Sequence, residues 1–121
     1  MLKNFSARAC LSLFLVCGAR AQGISIIRAD NVLESRALEG TVIFDHQSGI
    51  SGALVEDCTP DWKKPIADTR TDAKGKFSFP NTNAKRIHYL RISWEGANTL
   101  LVKVKISPNA RDLVLNLPPS S

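Results

Sequence analysis

The chain has 121 residues and a formal net charge of +5, and 44% of its residues are hydrophobic. A chain of this length accommodates one compact domain and no more. Three of the sixteen basic residues belong to an amino-terminal segment that we expect to be removed, which leaves thirteen against eleven acidic residues. A balance of +2 gives no reason to expect a nucleic-acid partner.

The amino-terminal segment has the pattern of a secretory signal peptide. Its first eight residues carry two basic side chains and no acid, residues 9–17 form an apolar run, and residues 19–21 have a small-x-small form. The run is far shorter than the ~20 residues of a membrane-spanning helix. We therefore expect cleavage after Ala21 and a secreted or periplasmic mature protein without a stable membrane span. An uncleaved anchor, or a lipoprotein modified at Cys17, remains an alternative.

Cleavage leaves one cysteine. Cys10 and Cys17 lie in the signal peptide, so Cys58 is alone in the mature chain and an internal disulfide is impossible. In an oxidising compartment such a thiol is buried, paired with another chain, or reactive. We expect burial, because the neighbours of Cys58 form a predicted strand.

Seven short strands are predicted in the mature chain. Residues 22–36 are a lead-in, in which residues 24–27 suggest an extended piece and residues 31–36 fit a helical turn equally well. From residue 37 apolar and polar side chains alternate with a period of two, and turn residues separate the alternating runs. The predicted domain spans residues 37–117, and residues 118–121 form a tail. The spacing is typical of a β-sandwich or barrel. The runs cover residues 37–44, 53–58, 66–71, 77–79, 87–94, 100–106 and 113–117.

A tight turn within residues 69–79 is the most informative stretch. The side chain of Asp72 is suited to accept hydrogen bonds from amides two or three residues later, and Gly75 is suited to a positive φ. Phe77 and Phe79 lie two residues apart, so both rings leave one face of a strand. We predict a hairpin here, with Phe77 in the core.

The motifs resemble those of the carboxypeptidase regulatory-like domain family. That resemblance covers residues 38–117 and implies an all-β, seven-stranded Greek-key fold of the prealbumin-like (transthyretin-like) type. It also implies a non-catalytic structural or binding module without a cofactor, whose partner is an envelope protein or polysaccharide. The matching motifs are Leu38-Glu39-Gly40-Thr41-Val42, Gly52-Ala53-Leu54-Val55, Thr71-Asp72-x-x-Gly75-x-Phe77-x-Phe79 and Leu90-x-Ile92-Ser93-x-x-Gly96.

An enzymatic alternative is a transthyretin-like small-molecule carrier or hydrolase. Hydroxyisourate hydrolase, a relative of that type, resembles this chain in fold but uses more than one histidine and a Tyr-Arg-Gly-Ser type carboxyl terminus. Here the two histidines are His46, in a turn, and His88, on an inward strand face, and the chain ends Pro-Pro-Ser-Ser. We therefore expect no enzyme.

Other chemistry finds little support in the sequence. Ser48 and Ser51 lie with His46 on a glycine-rich turn. Closeness in sequence on such a turn does not make a preorganised catalytic triad. The Glu56–Asp57 pair is interpreted as a strand end that meets solvent. An internal isopeptide bond from Asn116 would need a lysine on the first predicted strand, and residues 37–44 contain none. The sequence therefore predicts no catalytic residue and no metal site.

One candidate ligand site remains, in the loop between two prolines. Trp62, Lys63 and Lys64 combine an aromatic ring with two cations, which suits a sugar ring, a peptide or an anionic polymer. The alternative is that Trp62 folds down over an open sheet edge while the lysines keep that edge from pairing.

Overall fold

The fold is all-β, as predicted, in a computed structural model that describes residues 26–80 and 86–120. Residues 1–25, and with them the predicted signal peptide, lie outside the described residues. The described part contains no helix able to cross a membrane. The strands are β1 (Ile26–Ser35), β2 (Glu39–Phe44), β3 (Leu54–Cys58), β4 (Pro65–Arg70), β5 (Lys76–Ser78), β6 (Ile87–Ser93), β7 (Thr99–Ile106) and β8 (Leu113–Leu117).

The strands form two sheets of unequal width. One sheet has five strands in the order β1-β7-β6-β3-β4, and the other has three in the order β5-β2-β8. The pairs β1–β7 and β2–β8 are parallel, whereas the remaining pairs are antiparallel. Both sheets are therefore mixed.

The described residues hold eight strands rather than seven. The additional strand is β1, most of the segment that we interpreted as a lead-in. The register between β1 and β7 shifts between Arg28 and Val32, which interrupts the in-and-out alternation of β1. The sequence of β1 therefore lacks the regular period that identified the other strands.

The turn at residues 71–75 does not close a hairpin. Strand β4 pairs with β3 and strand β5 pairs with β2, so the turn carries the chain from the wider sheet to the narrower one. The predicted turn chemistry is nevertheless present. Asp72 Oδ1 accepts hydrogen bonds from the amides of Lys74 and Lys76 at 2.8 and 2.9 Å, and Gly75 has a φ of 87°.

The core lies between the two sheets and receives every second side chain. On β6, for example, Leu90 and Ile92 are fully buried while their neighbours are partly exposed. The rings of Phe77 and Phe79 are also buried, with centroids 6.2 Å apart in an edge-to-face arrangement. Burial of each such side chain stabilises the fold by ~1.5–3 kcal/mol.

Candidate binding surface

Trp62 is buried on the outer face of the five-stranded sheet. Leu90 points into the core, so its neighbour Tyr89 lies on the opposite face of β6. The Trp62 ring meets Tyr89 edge to face at 5.2 Å, and its Nε1 donates to the carbonyl of Val102 at 3.3 Å. Only 7% of Trp62 remains exposed. The loop thus covers part of this face.

Local hydrogen bonds fix the shape of the loop that carries Trp62. The Trp62 amide donates to the Thr59 carbonyl at 2.7 Å, and the Thr59 amide donates to the Lys64 carbonyl at 2.9 Å. Asp61 Oδ1 accepts from the Thr59 hydroxyl and from the Lys63 amide, which lowers the pKa of Asp61. Trp62 has a φ of 59°, rare for a bulky residue and sustained here by the surrounding contacts.

Two arginines hold the loop against the sheet. The Arg28 Cζ lies 5.0 Å from the centroid of the Trp62 ring, a cation–π arrangement. Arg91 Nη1 donates to the Trp62 carbonyl at 2.8 Å while its Nε donates to Glu56 Oε1 at 2.9 Å. The hydrogen bond with Glu56 raises the pKa of Arg91. Arg91 therefore ties the loop to β3 and β6 in its charged form.

Each residue of the predicted ligand site has a definite place in the structure. Lys63 and Lys64 are exposed, whereas the Trp62 ring is covered by Arg28 and by the sheet. The ring is folded down on the outer face of the sheet rather than on its edge. Because so little of it is exposed, Trp62 offers no face on which a sugar ring can stack. The two lysines carry the positive charge of the loop that a ligand can reach, and the exposed carboxylate of Asp61 lies in the same loop.

A buried polar cluster joins β3 to β6. Asp57 Oδ2 lies 2.9 Å from His88 Nδ1 and also accepts a hydrogen bond from Arg86 Nη2. Asp57 is 5% exposed and His88 1%. Our interpretation of Asp57 as a solvent-facing strand end is therefore wrong. Asp57 follows the buried Val55 by two residues, and that spacing, which places both on one face, was the signal available in the sequence.

The cluster offers no accessible catalytic group. A general base must lie within hydrogen-bond distance of the proton that it removes from a substrate. The imidazole of His88 is almost fully enclosed, so a substrate in solvent has no approach to it. Arg86 and His88 both contact Asp57 Oδ2, whereas Asp57 Oδ1 is buried without a hydrogen-bond partner among the described residues. The cluster therefore satisfies only half of the buried carboxylate.

His46 belongs to an exposed turn rather than to a triad. Its amide donates to Asn116 Oδ1 at 2.6 Å, and its Nε2 lies 3.3 Å from Asn116 Nδ2. Both Asp45 and His46 have positive φ angles. Among the described residues, no serine hydroxyl lies within hydrogen-bond distance of His46. Asn116 therefore clamps this turn to β8.

Metal and thiol chemistry find no site in the described ranges 26–80 and 86–120. These ranges contain no group of three or more histidine, cysteine or acidic side chains that could hold a metal ion. Cys58 is a free and fully buried cysteine, as the sequence led us to expect. Burial raises the pKa of its thiol, which disfavours the reactive thiolate.

A shallow depression lies beside β2 and β5, with a volume of about 410 Å³. Its lining is polar and carries both signs of charge in equal number, so it has no clear preference for an anion or a cation. The charged lining residues are Arg36, Arg70, Lys76, Glu39, Asp72 and Asp112.

Comparison of the chain with protein-family models and with curated protein sequences found no match. The resemblance to carboxypeptidase regulatory-like domains thus depends on the sequence motifs given above, and it stays a prediction.

Proposed function

We propose that the mature chain is a non-catalytic, exported β-sandwich module that binds anionic groups of a partner in the bacterial envelope or outside the cell. The signal-peptide pattern of residues 1–21 supports export. The strand orders β5-β2-β8 and β4-β3-β6-β7 support a prealbumin-like Greek-key sandwich, to which β1 adds an edge strand. The enclosure of Asp57 and His88 supports a role without catalysis.

The observation that carries the proposal is the anchored cationic loop. Trp62 fixes the backbone of the loop on the sheet, and the next two residues, Lys63 and Lys64, are both exposed. Arg28 is a third exposed cation beside the same ring. A backbone held by several hydrogen bonds lowers the ordering cost of binding, because less conformational freedom is lost when the ligand binds. In this arrangement Trp62 positions the lysines and does not contact the ligand.

A charge-neutralising pair of substitutions tests the loop. The variant Lys63→Gln/Lys64→Gln keeps a long polar side chain at each position, and the backbone groups that make the loop's hydrogen bonds are unchanged. We expect its retention on an immobilised acidic polysaccharide to fall about tenfold, since two exposed ion contacts together are worth about 1.4 kcal/mol. Retention should also weaken as the salt concentration rises.

The matched control is Lys74→Gln/Lys76→Gln, which removes the same charge from two exposed lysines of another turn. Equal losses in the two variants would mean that net charge, not the loop, drives retention, and would contradict the proposal. An immobilised acidic peptide, run in parallel, identifies the class of partner. Trp62→Ala is unsuited to this purpose, because the loss of a buried ring also lowers stability.

A further inference from the structure

Strand β4 leaves one edge of the five-stranded sheet open. It is the last strand of that sheet, pairs only with β3 among the described strands, and has five exposed residues out of six. Ile66, near its start, is 61% exposed. Unpaired edges of this kind are templates for the addition of another strand.

The alternation of hydrogen bonds along β4 shows which of its amides and carbonyls do not bond to β3. The Thr71 amide donates to the Ala53 carbonyl at 3.0 Å, and the Thr71 carbonyl accepts from the Gly52 amide at 3.0 Å, so both backbone groups of Thr71 point towards β3. This direction alternates along an antiparallel strand, so the backbone groups of Thr69, opposite Val55, also point towards β3. The amides and carbonyls of Asp68 and Arg70 therefore point away from β3, towards the open side.

The charged side chains on this edge are not all paired within the described part of one chain. Asp68 lies directly opposite Glu56 on β3, and like charges in that position are unfavourable. Glu56 has Arg91 as its ion-pair partner, whereas Asp68 has none among residues 26–80 and 86–120. Arg70, two residues along, donates to the Gly52 carbonyl at 3.0 Å and has further donors available.

We propose that β4 pairs antiparallel with β4 of a second copy of this chain, which joins two five-stranded sheets into one of ten strands. The register has Thr69 opposite Thr69, so that Asp68 of each copy faces Arg70 of the other. This inference goes beyond the proposed function and does not depend on it.

The neighbouring registers are less favourable. In the two nearest registers that also match the outward backbone groups, Asp68 lies opposite Asp68 or Arg70 lies opposite Arg70. Both arrangements set like charges against each other, which is destabilising. A third, centred on Ala67, sets Asp68 against Ile66 and leaves both charges unpaired. Of these four registers, only the one centred on Thr69 gives two opposite-charge pairs within β4. Because the interface is short, the dimer belongs to the weak and reversible class.

A charge swap tests the pairing by sedimentation of the mature protein between about 1 µM and about 1 mM, the range in which weak complexes dissociate. For the native sequence we expect a concentration-dependent dimer. Asp68→Arg and Arg70→Asp should each weaken it at least tenfold, because like charges then face each other. The double variant Asp68→Arg/Arg70→Asp restores opposite charges and should regain the native dissociation constant to within about threefold.

A cysteine at the symmetry axis tests the register. Opposite residues of a non-hydrogen-bonded pair have Cα atoms about 4.5 Å apart, within disulfide range, so Thr69→Cys should give a covalent dimer with glutathione disulfide as oxidant. Ala67→Cys is the control, since two residues 67 lie about 13 Å apart in this register. Both variants retain the buried Cys58 equally.

Three outcomes would overturn the inference. These are a native protein that stays monomeric throughout the concentration range, a double variant no better than the single ones, and a covalent dimer from Ala67→Cys but not from Thr69→Cys. Circular dichroism of every variant separates loss of pairing from loss of folding.

Discussion

Gly75 is a residue at which a side chain is disfavoured for two separate reasons. A Cβ built there would lie 2.6 Å from the Val42 carbonyl oxygen and 2.7 Å from the Gly49 Cα, both of them backbone atoms. Gly75 also has a φ of 87°, where a side chain is disfavoured. The residue therefore combines a conformational demand with a close approach to β2, whose Val42 amide donates to the Gly75 carbonyl.

Two glycine substitutions separate these demands. Gly52 has a φ of 80°, but no atom lies within 4 Å of the position that a Cβ would occupy there. Gly52→Ala should therefore cost only the left-handed conformation, about 1–2 kcal/mol. Gly75→Ala should cost at least about 2 kcal/mol more, because backbone must move as well. Urea unfolding of both variants measures the difference. Equal midpoints would show that the turn relaxes freely.

At the scale of elements, the turn between β4 and β5 depends on an ionised carboxylate. The amides of Lys76 and Lys74 donate to Asp72, which lowers the pKa of Asp72. A lowered pKa in the folded state means that the carboxylate stabilises the fold above the ordinary aspartate pKa of about 3.9, and that this contribution is lost as the pH falls through the folded-state pKa.

The substitution Asp72→Ala should therefore lower stability at pH 7 and make little difference in strong acid. Urea unfolding of the native protein and the variant, from pH 7 down to about pH 2, tests this. We expect the difference between their urea midpoints, the gap, to close as the pH falls. Asp30→Ala is the control, because Asp30 on β1 is an exposed aspartate without an amide donor or an ion pair in the described structure. A gap for Asp72→Ala that is constant with pH would contradict the assignment.

The alternation of apolar and polar side chains predicted where the strands lie, but it did not predict which strands pair with one another. Strands β2 to β8 lie where a period of two placed them, because that period follows from burial on one face. The hairpin prediction was wrong because Asp72 and Gly75 specify a turn locally and carry no information about which sheet receives the next strand. For the loop, the sequence offered Trp62, Lys63 and Lys64 as candidates, and their role in binding stays a prediction. It gave no sign of Arg28 or Arg91, since their contacts with Trp62 join residues more than twenty positions apart.

At the scale of the whole molecule, one hydrophobic core holds the described residues together, and their one cysteine, Cys58, is free. Phe77, 4% exposed, lies in that core on a strand of only three residues. We expect Phe77→Ala to cost ~3–5 kcal/mol, a large part of the ~5–15 kcal/mol typical of a domain. The melting temperature should fall by at least about 10 °C in a circular dichroism melt.

The comparison for Phe77→Ala is Val114→Ala on β8. Val114 is 57% exposed, so its truncation should shift the melting temperature by only a few degrees. Similar shifts for the two variants would show that the ring of Phe77 does not hold the sheets together.

Both parallel pairs involve the outermost strands of the chain, β1 with β7 and β8 with β2. Ile26 lies opposite Thr99 at the start of β7, and the Asn98 amide, one residue earlier, donates to the Pro118 carbonyl just after β8. The start of β1 and the end of β8 therefore lie at the same end of the sandwich. Tension applied between Ile26 and Leu117 thus runs across the strands and loads the hydrogen bonds nearest that end first. We expect such a force to peel the two ladders open bond by bond.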